Sequence, residues 1–170
     1  MTNRNFAIKW LAYALALLPV WFAQAFLLSG YPLFGVKPML LPLCAMAVAT
    51  LEGPVAGAGF GLGVGLLWDA LIPGTPGAGI FLLSLLGLCA GMLTKYVLRQ
   101  SFDGCFLCSA GALAILDLLR ILLWLFLGRA ALPPMLRVAG QELLWSLCFT
   151  PPVYFLFHWV YDRVPKPAVG

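Results

Sequence analysis

The chain has 170 residues, of which 63% are hydrophobic and 9% are charged, and its formal net charge is +4. A soluble domain usually carries about 25% charged residues, so this composition excludes an ordinary water-soluble fold. The Lys and Arg residues form no dense basic run, so we expect no nucleic-acid partner. Their positions instead indicate how the chain is oriented in a lipid bilayer. We therefore predict one all-α polytopic membrane domain covering residues 1–170.

Apolar stretches predict six transmembrane helices, since a span needs about 20 mostly apolar residues. The second stretch is short and is separated from the third only by Gly53-Pro54, so these two should form a tight hairpin. The first stretch could be a cleaved signal peptide, but its apolar run is longer than is usual for one. The predicted spans lie near residues 7–28, 38–52, 54–72, 78–98, 105–127 and 140–161.

The distribution of basic residues predicts that both termini are cytoplasmic. Lys and Arg are enriched near the cytoplasmic ends of membrane spans. In this orientation the cytoplasmic ends carry Arg4, Lys9, Lys95, Arg99, Arg163 and Lys166, whereas the outer ends carry Lys37, Arg129 and Arg137.

The third span contains five glycines in the sequence GAGFGLGVGLLWD. Each Gly costs about 0.8–1 kcal/mol relative to Ala in a soluble helix, whereas in a bilayer small residues four apart let helix backbones approach closely. Gly57, Gly61 and Gly65 form one such stripe. Gly59 and Gly63 form a second stripe on roughly the opposite side, because two residues advance about 200° around a helix. We therefore predict that the third span is the central helix, packed between two others.

Four charged residues within the spans predict a buried polar cluster. Asp69 lies in the last turn of the third span, before Pro73. A carboxylate there opposes the helix dipole and is costly in a membrane, so we expect a buried partner on another helix or a functional contact. Asp117 and Arg120 lie three residues apart on the fifth span, and Glu142 begins the sixth near the same outer end. The predicted cluster contains all four, with Asp69 paired to Arg120.

The chemistry-bearing side chains assemble into no catalytic set. His158 is the one His of the chain and lies at the inner end of the sixth span, among aromatic residues. Cys105 and Cys108 form a lone CFLC with neither a second pair nor a nearby His, which is too little for a zinc or redox site. We expect no enzymatic activity, no cofactor and no metal.

Residues 37–92 resemble the rod shape-determining protein MreD family. The resemblance lies in the order of features: a span that begins with Pro, a Gly-Pro hairpin, a glycine-rich helix ending in G-L-L-x-D, and a Pro/Gly loop before another span rich in small residues. Here these features are Pro38, Gly53-Pro54, Gly57 to Gly65, Asp69 and Pro73 to Gly79.

This resemblance implies a non-enzymatic inner-membrane component of the bacterial elongation complex, which acts in cell shape and peptidoglycan synthesis. Its partners would be MreC, a single-span coiled-coil protein, and indirectly the MreB filaments, RodA and a class B penicillin-binding protein.

The family is also similar in fold to the substrate-binding subunits of energy-coupling factor (ECF) transporters, six-span proteins without catalytic residues. A vitamin- or solute-binding subunit is therefore the alternative function. The predicted outer loops, SGYPLFGVK and IPGTPGAG, offer few hydrogen-bond donors. Because a small-molecule site needs several well-placed polar groups, we expect no small-molecule substrate.

Overall fold

The computed structural model describes residues 3–27, 38–71, 77–98, 101–128 and 132–164. Of these residues 92% are helical and none lies in a strand, which confirms the predicted all-α fold. The helices are α1 (Asn3–Phe22, continued by a π-helical turn, Ala23–Leu27), α2 (Leu40–Glu52), α3 (Pro54–Leu71), α4 (Ala78–Tyr96), α5 (Phe102–Phe126), α6 (Leu132–Cys148) and α7 (Thr150–Arg163).

Within the described residues, four stretches are long and apolar enough to cross a membrane, which indicates a multi-pass membrane protein. They are Ala7–Phe26, Ala78–Tyr96, Phe102–Phe126 and Pro133–Arg163, the last of which joins α6 to α7. The helix α2 is apolar but has only 13 residues. At 1.5 Å per residue it is about 20 Å long, shorter than the hydrocarbon core of about 30 Å. The count of six spans therefore remains a prediction.

The central helix of the bundle is α2. Every side chain from Leu40 to Leu51 is buried, and α2 packs against α1, α3, α4, α5 and α7. Three fully buried alanines, Ala45, Ala47 and Ala49, keep α2 thin on several sides at once. The prediction that the glycine-rich third span is central was therefore wrong, because α3 lies beside α2.

One glycine stripe of α3 packs directly on the backbone of α4. A methyl group added to Gly57 would lie 2.6 Å from the carbonyl oxygen of Gly87, and one added to Gly61 would overlap the carbonyl group of Leu83. Gly65 approaches the backbone of α4 as closely. The two antiparallel helices therefore meet backbone to backbone at Gly57, Gly61 and Gly65.

The second glycine stripe does not pack on a helix backbone. A methyl group on Gly63 would meet no described atom within 4 Å, and one on Gly59 would only touch the Trp10 ring, at 3.9 Å. Val55 and Leu66 on the same helix are exposed as well. The helix α3 does pack against two others, α2 and α4, but the prediction that it does so through two stripes was wrong, because the second stripe lies on an open face.

The predicted sixth span is two helices, and its start was misplaced. Helix α6 begins at Leu132 instead of near residue 140, with Pro133 and Pro134 in its first turn, where no backbone N–H is needed. The helix is interrupted at Phe149, and α7 then begins with Pro151 and Pro152 in its first turn. Proline removes a helical hydrogen bond, which accounts for a break at this point.

Candidate functional site

Asp69 caps the N-terminus of the following helix, α4. Its Oδ2 accepts a hydrogen bond from the N–H of Gly77 at 2.9 Å, and its Oδ1 accepts one from the N–H of Gly79 at 3.0 Å. The first N–H groups of a helix have no partner within it and carry partial positive charge. The carboxylate is thus unfavourable at the end of α3 but favourable at the start of α4. The predicted pairing of Asp69 with Arg120 was wrong.

The structure brings together the other three residues of the predicted cluster, here named the Arg120 cluster: Asp117, Arg120 and Glu142. The Nη1 of Arg120 donates a hydrogen bond to the Oε2 of Glu142 at 2.9 Å, joining α5 to α6. Asp117 lies three residues before Arg120 on α5, and Arg120 forms its ion pair with Glu142. The Arg120 side chain is 39% exposed, whereas that of Glu142 is 9% exposed.

The Arg120 cluster forms the polar part of a pocket of about 220 Å³ between α5 and α6. Asp117 lines this pocket and is 94% buried, since its exposed fraction is 6%. Its carboxylate makes no hydrogen bond or ion pair with any residue that the structure describes. The remaining lining residues are apolar: Ile121, Pro134, Met135, Val138 and Ala139.

A second buried ionic group joins the N-terminal half of α1 to the C-terminus of α2. It contains Lys9, Tyr13 and Glu52 and is here named the Glu52 cluster. The Nζ of Lys9 forms an ion pair with the Oε2 of Glu52, and the Tyr13 hydroxyl donates to its Oε1 at 2.7 Å. The side chains of Lys9 and Glu52 are 13% and 10% exposed. Lys9 compensates the carboxylate at the C-terminus of α2, where the helix dipole disfavours it.

Sequence reasoning missed the Glu52 cluster, although its signal was present. Glu52 follows a wholly apolar run and precedes Gly53-Pro54, and Lys9 was interpreted only as a mark of orientation. Tyr13 lies four residues after Lys9, so both side chains project from one face of α1.

The N-terminus of α2 is capped by side chains from two other helices. The Oε1 of Gln24, in the π-helical turn after α1, accepts hydrogen bonds from the N–H groups of Leu40 and Leu41 at 3.0 and 2.8 Å. The hydroxyl of Ser146 in α6 accepts one from the N–H of Met39 at 2.9 Å. A buried helix end away from water needs such partners. These bonds fix where α2 begins relative to α1 and α6.

Taken together, the polar groups described above connect neighbouring helices. Among the described residues no group of three or more His, Cys, Asp or Glu could hold a metal ion. The cysteines Cys105 and Cys108 are free and buried. His158 pairs with Asp162 at 3.5 Å on the same helix. Within this part of the chain, the arrangement joins α1 to α2 and α5 to α6.

Comparison with known proteins gave no relative: no family model, no curated protein and no solved structure matches this chain.

Proposed function

We propose that the protein is a non-enzymatic scaffold of the bacterial elongation complex, similar to the MreD family, and regulates cell shape through assembly. It would bind the single helix of MreC in the membrane. Through MreC it would connect MreB filaments to RodA and its class B penicillin-binding partner. Its surface for this partner would be apolar and made partly of small residues.

The open glycine face of α3 is the observation that carries this proposal. Gly59 and Gly63 stand four residues apart, the spacing at which a second helix can approach closely in a bilayer. Neither has a helix backbone against it among the described residues. The first stripe, Gly57 to Gly65, is already occupied by α4. A partner helix would therefore complete on the second stripe the kind of packing that α4 makes on the first.

The proposal includes a topology. Six spans would result if α2 and α3 cross as a hairpin in addition to the four long apolar stretches. Both termini would then be cytoplasmic in the bacterial inner membrane, as the excess of Lys and Arg at those ends favours. The fold would be of the kind found in ECF substrate-binding subunits.

Matched substitutions test the partner surface without disturbing the fold. Gly63→Leu adds a large side chain to the open face, and Gly111→Leu adds the same side chain to α5, where a Cβ also meets no described atom. Both variants should fold. We expect Gly63→Leu to lose MreC in a mild-detergent pull-down and to give rounded cells, whereas Gly111→Leu keeps both. Equal recovery of MreC by the two variants would contradict the proposed surface.

The pocket at the Arg120 cluster favours the alternative, an ECF-type substrate-binding subunit. Its volume of about 220 Å³ is below the 300–1,000 Å³ of usual ligand pockets, so we rank this function second. The same pull-down separates the two. Recovery of paired ATPases and a coupling subunit, without MreC or wall synthases, would establish the transporter.

A further inference from the structure

We propose that the pocket between α5 and α6 binds a primary ammonium group carried on a short alkyl chain. This site is separate from the glycine face of α3 and does not depend on the scaffold role.

Among the described residues that line the pocket, one carboxylate has no cation in direct contact. Arg120 is joined to Glu142, so this pair is neutral. Asp117 is 94% buried, lines the pocket and contacts no cation among the described residues. An unpaired carboxylate within a membrane helix is costly, and such groups usually face a partner or a cavity. A cation in the pocket would neutralise it.

The free acceptor atoms match an ammonium group. Besides the Asp117 carboxylate, the Oε1 of Glu142 is available, since the hydrogen bond that Glu142 accepts from Arg120 is to Oε2. An ammonium group has three donors and no acceptor, so these carboxylates could receive its N–H groups. A metal ion is a poorer match, because the described residues contain no group of three metal-binding side chains.

The rest of the pocket indicates that the cation carries an alkyl chain. Five of the eight lining residues are apolar, among them Val138 and Ala139 of α6. Asp117 lies nine residues before Phe126, the last residue of α5, or about 14 Å along the helix axis. A ligand that reaches this depth passes apolar walls. Two sources share the required chemistry: a free alkylamine, and the ethanolamine headgroup of a phospholipid.

The test uses the full chain in nanodiscs of phosphatidylcholine and phosphatidylglycerol, with n-propylammonium as the probe and n-propanol as its uncharged counterpart at equal ionic strength. A ligand that binds only the folded state raises Tm with concentration. We expect a saturable rise with n-propylammonium and none with n-propanol. Asp117→Asn should weaken the apparent affinity by about tenfold or more, the loss expected for a charge-assisted hydrogen bond.

Two further variants make the result specific. Asp103→Asn removes an exposed carboxylate from the same helix and should leave the Tm rise unchanged. Ala139→Leu fills the pocket with no change of charge and should abolish the rise in Tm. This variant tests whether the pocket is the binding site even if Asp117→Asn does not fold. The proposal is overturned if the wild type shows no rise, if n-propanol acts equally, or if Ala139→Leu still responds.

A second experiment, in which the lipid is varied, distinguishes a free alkylamine from the ethanolamine headgroup of a phospholipid. Nanodiscs that contain phosphatidylethanolamine should raise Tm in an Asp117-dependent way, and should retain that lipid in native mass spectra, if the headgroup is the occupant. If only the free amine acts, the ligand is a soluble amine. In both cases the ammonium site is supported.

Discussion

Gly57 of α3 and Gly87 of α4 face each other with their backbones in contact, so that a methyl group on Gly57 would lie 2.6 Å from the carbonyl oxygen of Gly87. The backbone at Gly57 cannot move away from α4, because Gly57 is also packed on Ala49 of α2. Three helices therefore meet at one glycine.

The first prediction concerns Gly61 in the same stripe. Gly61→Ala should destabilise the protein by about 1–3 kcal/mol, the usual cost of overpacking, since the new Cβ would overlap the carbonyl of Leu83. Unfolding in mixed detergent and dodecyl sulfate micelles would measure this. Gly63→Ala is the matched control, and it should be neutral or stabilising because its Cβ meets open space. Equal destabilisation by the two changes would contradict the packing described for α3 and α4.

The second prediction concerns Asp69. Asp69→Ala should cost about 1 kcal/mol, as loss of a helix N-cap does, because the N–H groups of Gly77 and Gly79 lose their acceptor. Combined with Arg120→Gln, the effects on the free energy of unfolding should add to within about 0.5 kcal/mol, as for separate sites. Marked non-additivity would mean that Asp69 and Arg120 form the pair that the sequence suggested.

The third prediction concerns the ion pair of the Glu52 cluster. Lys9→Met should destabilise the protein by about 3 kcal/mol, because it leaves the carboxylate of Glu52 buried without its cation. The double variant Lys9→Met/Glu52→Met should recover most of that loss, since well-packed apolar side chains often replace a buried pair without cost. Urea or dodecyl sulfate titration of the variants would test this. A double variant less stable than Lys9→Met would exclude the pairing as the cause.

The fourth prediction concerns the start of α2. Gln24→Ala removes the acceptor for two N–H groups, those of Leu40 and Leu41. We expect a loss of about 1–3 kcal/mol, the cost of leaving a buried donor unsatisfied. Gln24→Glu keeps an acceptor at the same place, and should be closer to the wild type in thermal denaturation. If both variants behave alike, the cap contributes little to stability.

The apolar runs predicted where the helices lie, because helices in lipid need continuous hydrophobic sequence. They could not predict which helix is central. Leu40–Glu52 and Pro54–Leu71 are both apolar, and hydrophobicity does not distinguish a side chain that faces lipid from one that faces another helix. The feature of the sequence that indicated a central position for α2 was its small alanines, Ala45 and Ala49 among them.

The charged residues were found in sequence, but their partners were harder to assign. Arg120 and Glu142 pair as side chains of opposite charge near one end of two spans. Asp69 instead accepts hydrogen bonds from backbone N–H groups. Because every helix N-terminus has such groups, the residue types in the sequence do not identify the partner of Asp69. Gly79 held a clue, because a Cβ there would overlap the Asp69 carboxylate.

The enclosed position of α2 has a consequence for how the chain is made. Four of the five helices that surround it, α3, α4, α5 and α7, are encoded after it. While the ribosome is still translating them, α2 has no finished site to occupy and is too short to rest across the bilayer by itself. Its complete burial must therefore wait until α7 has been translated, so the innermost helix reaches its final packing only after the helices around it have been made.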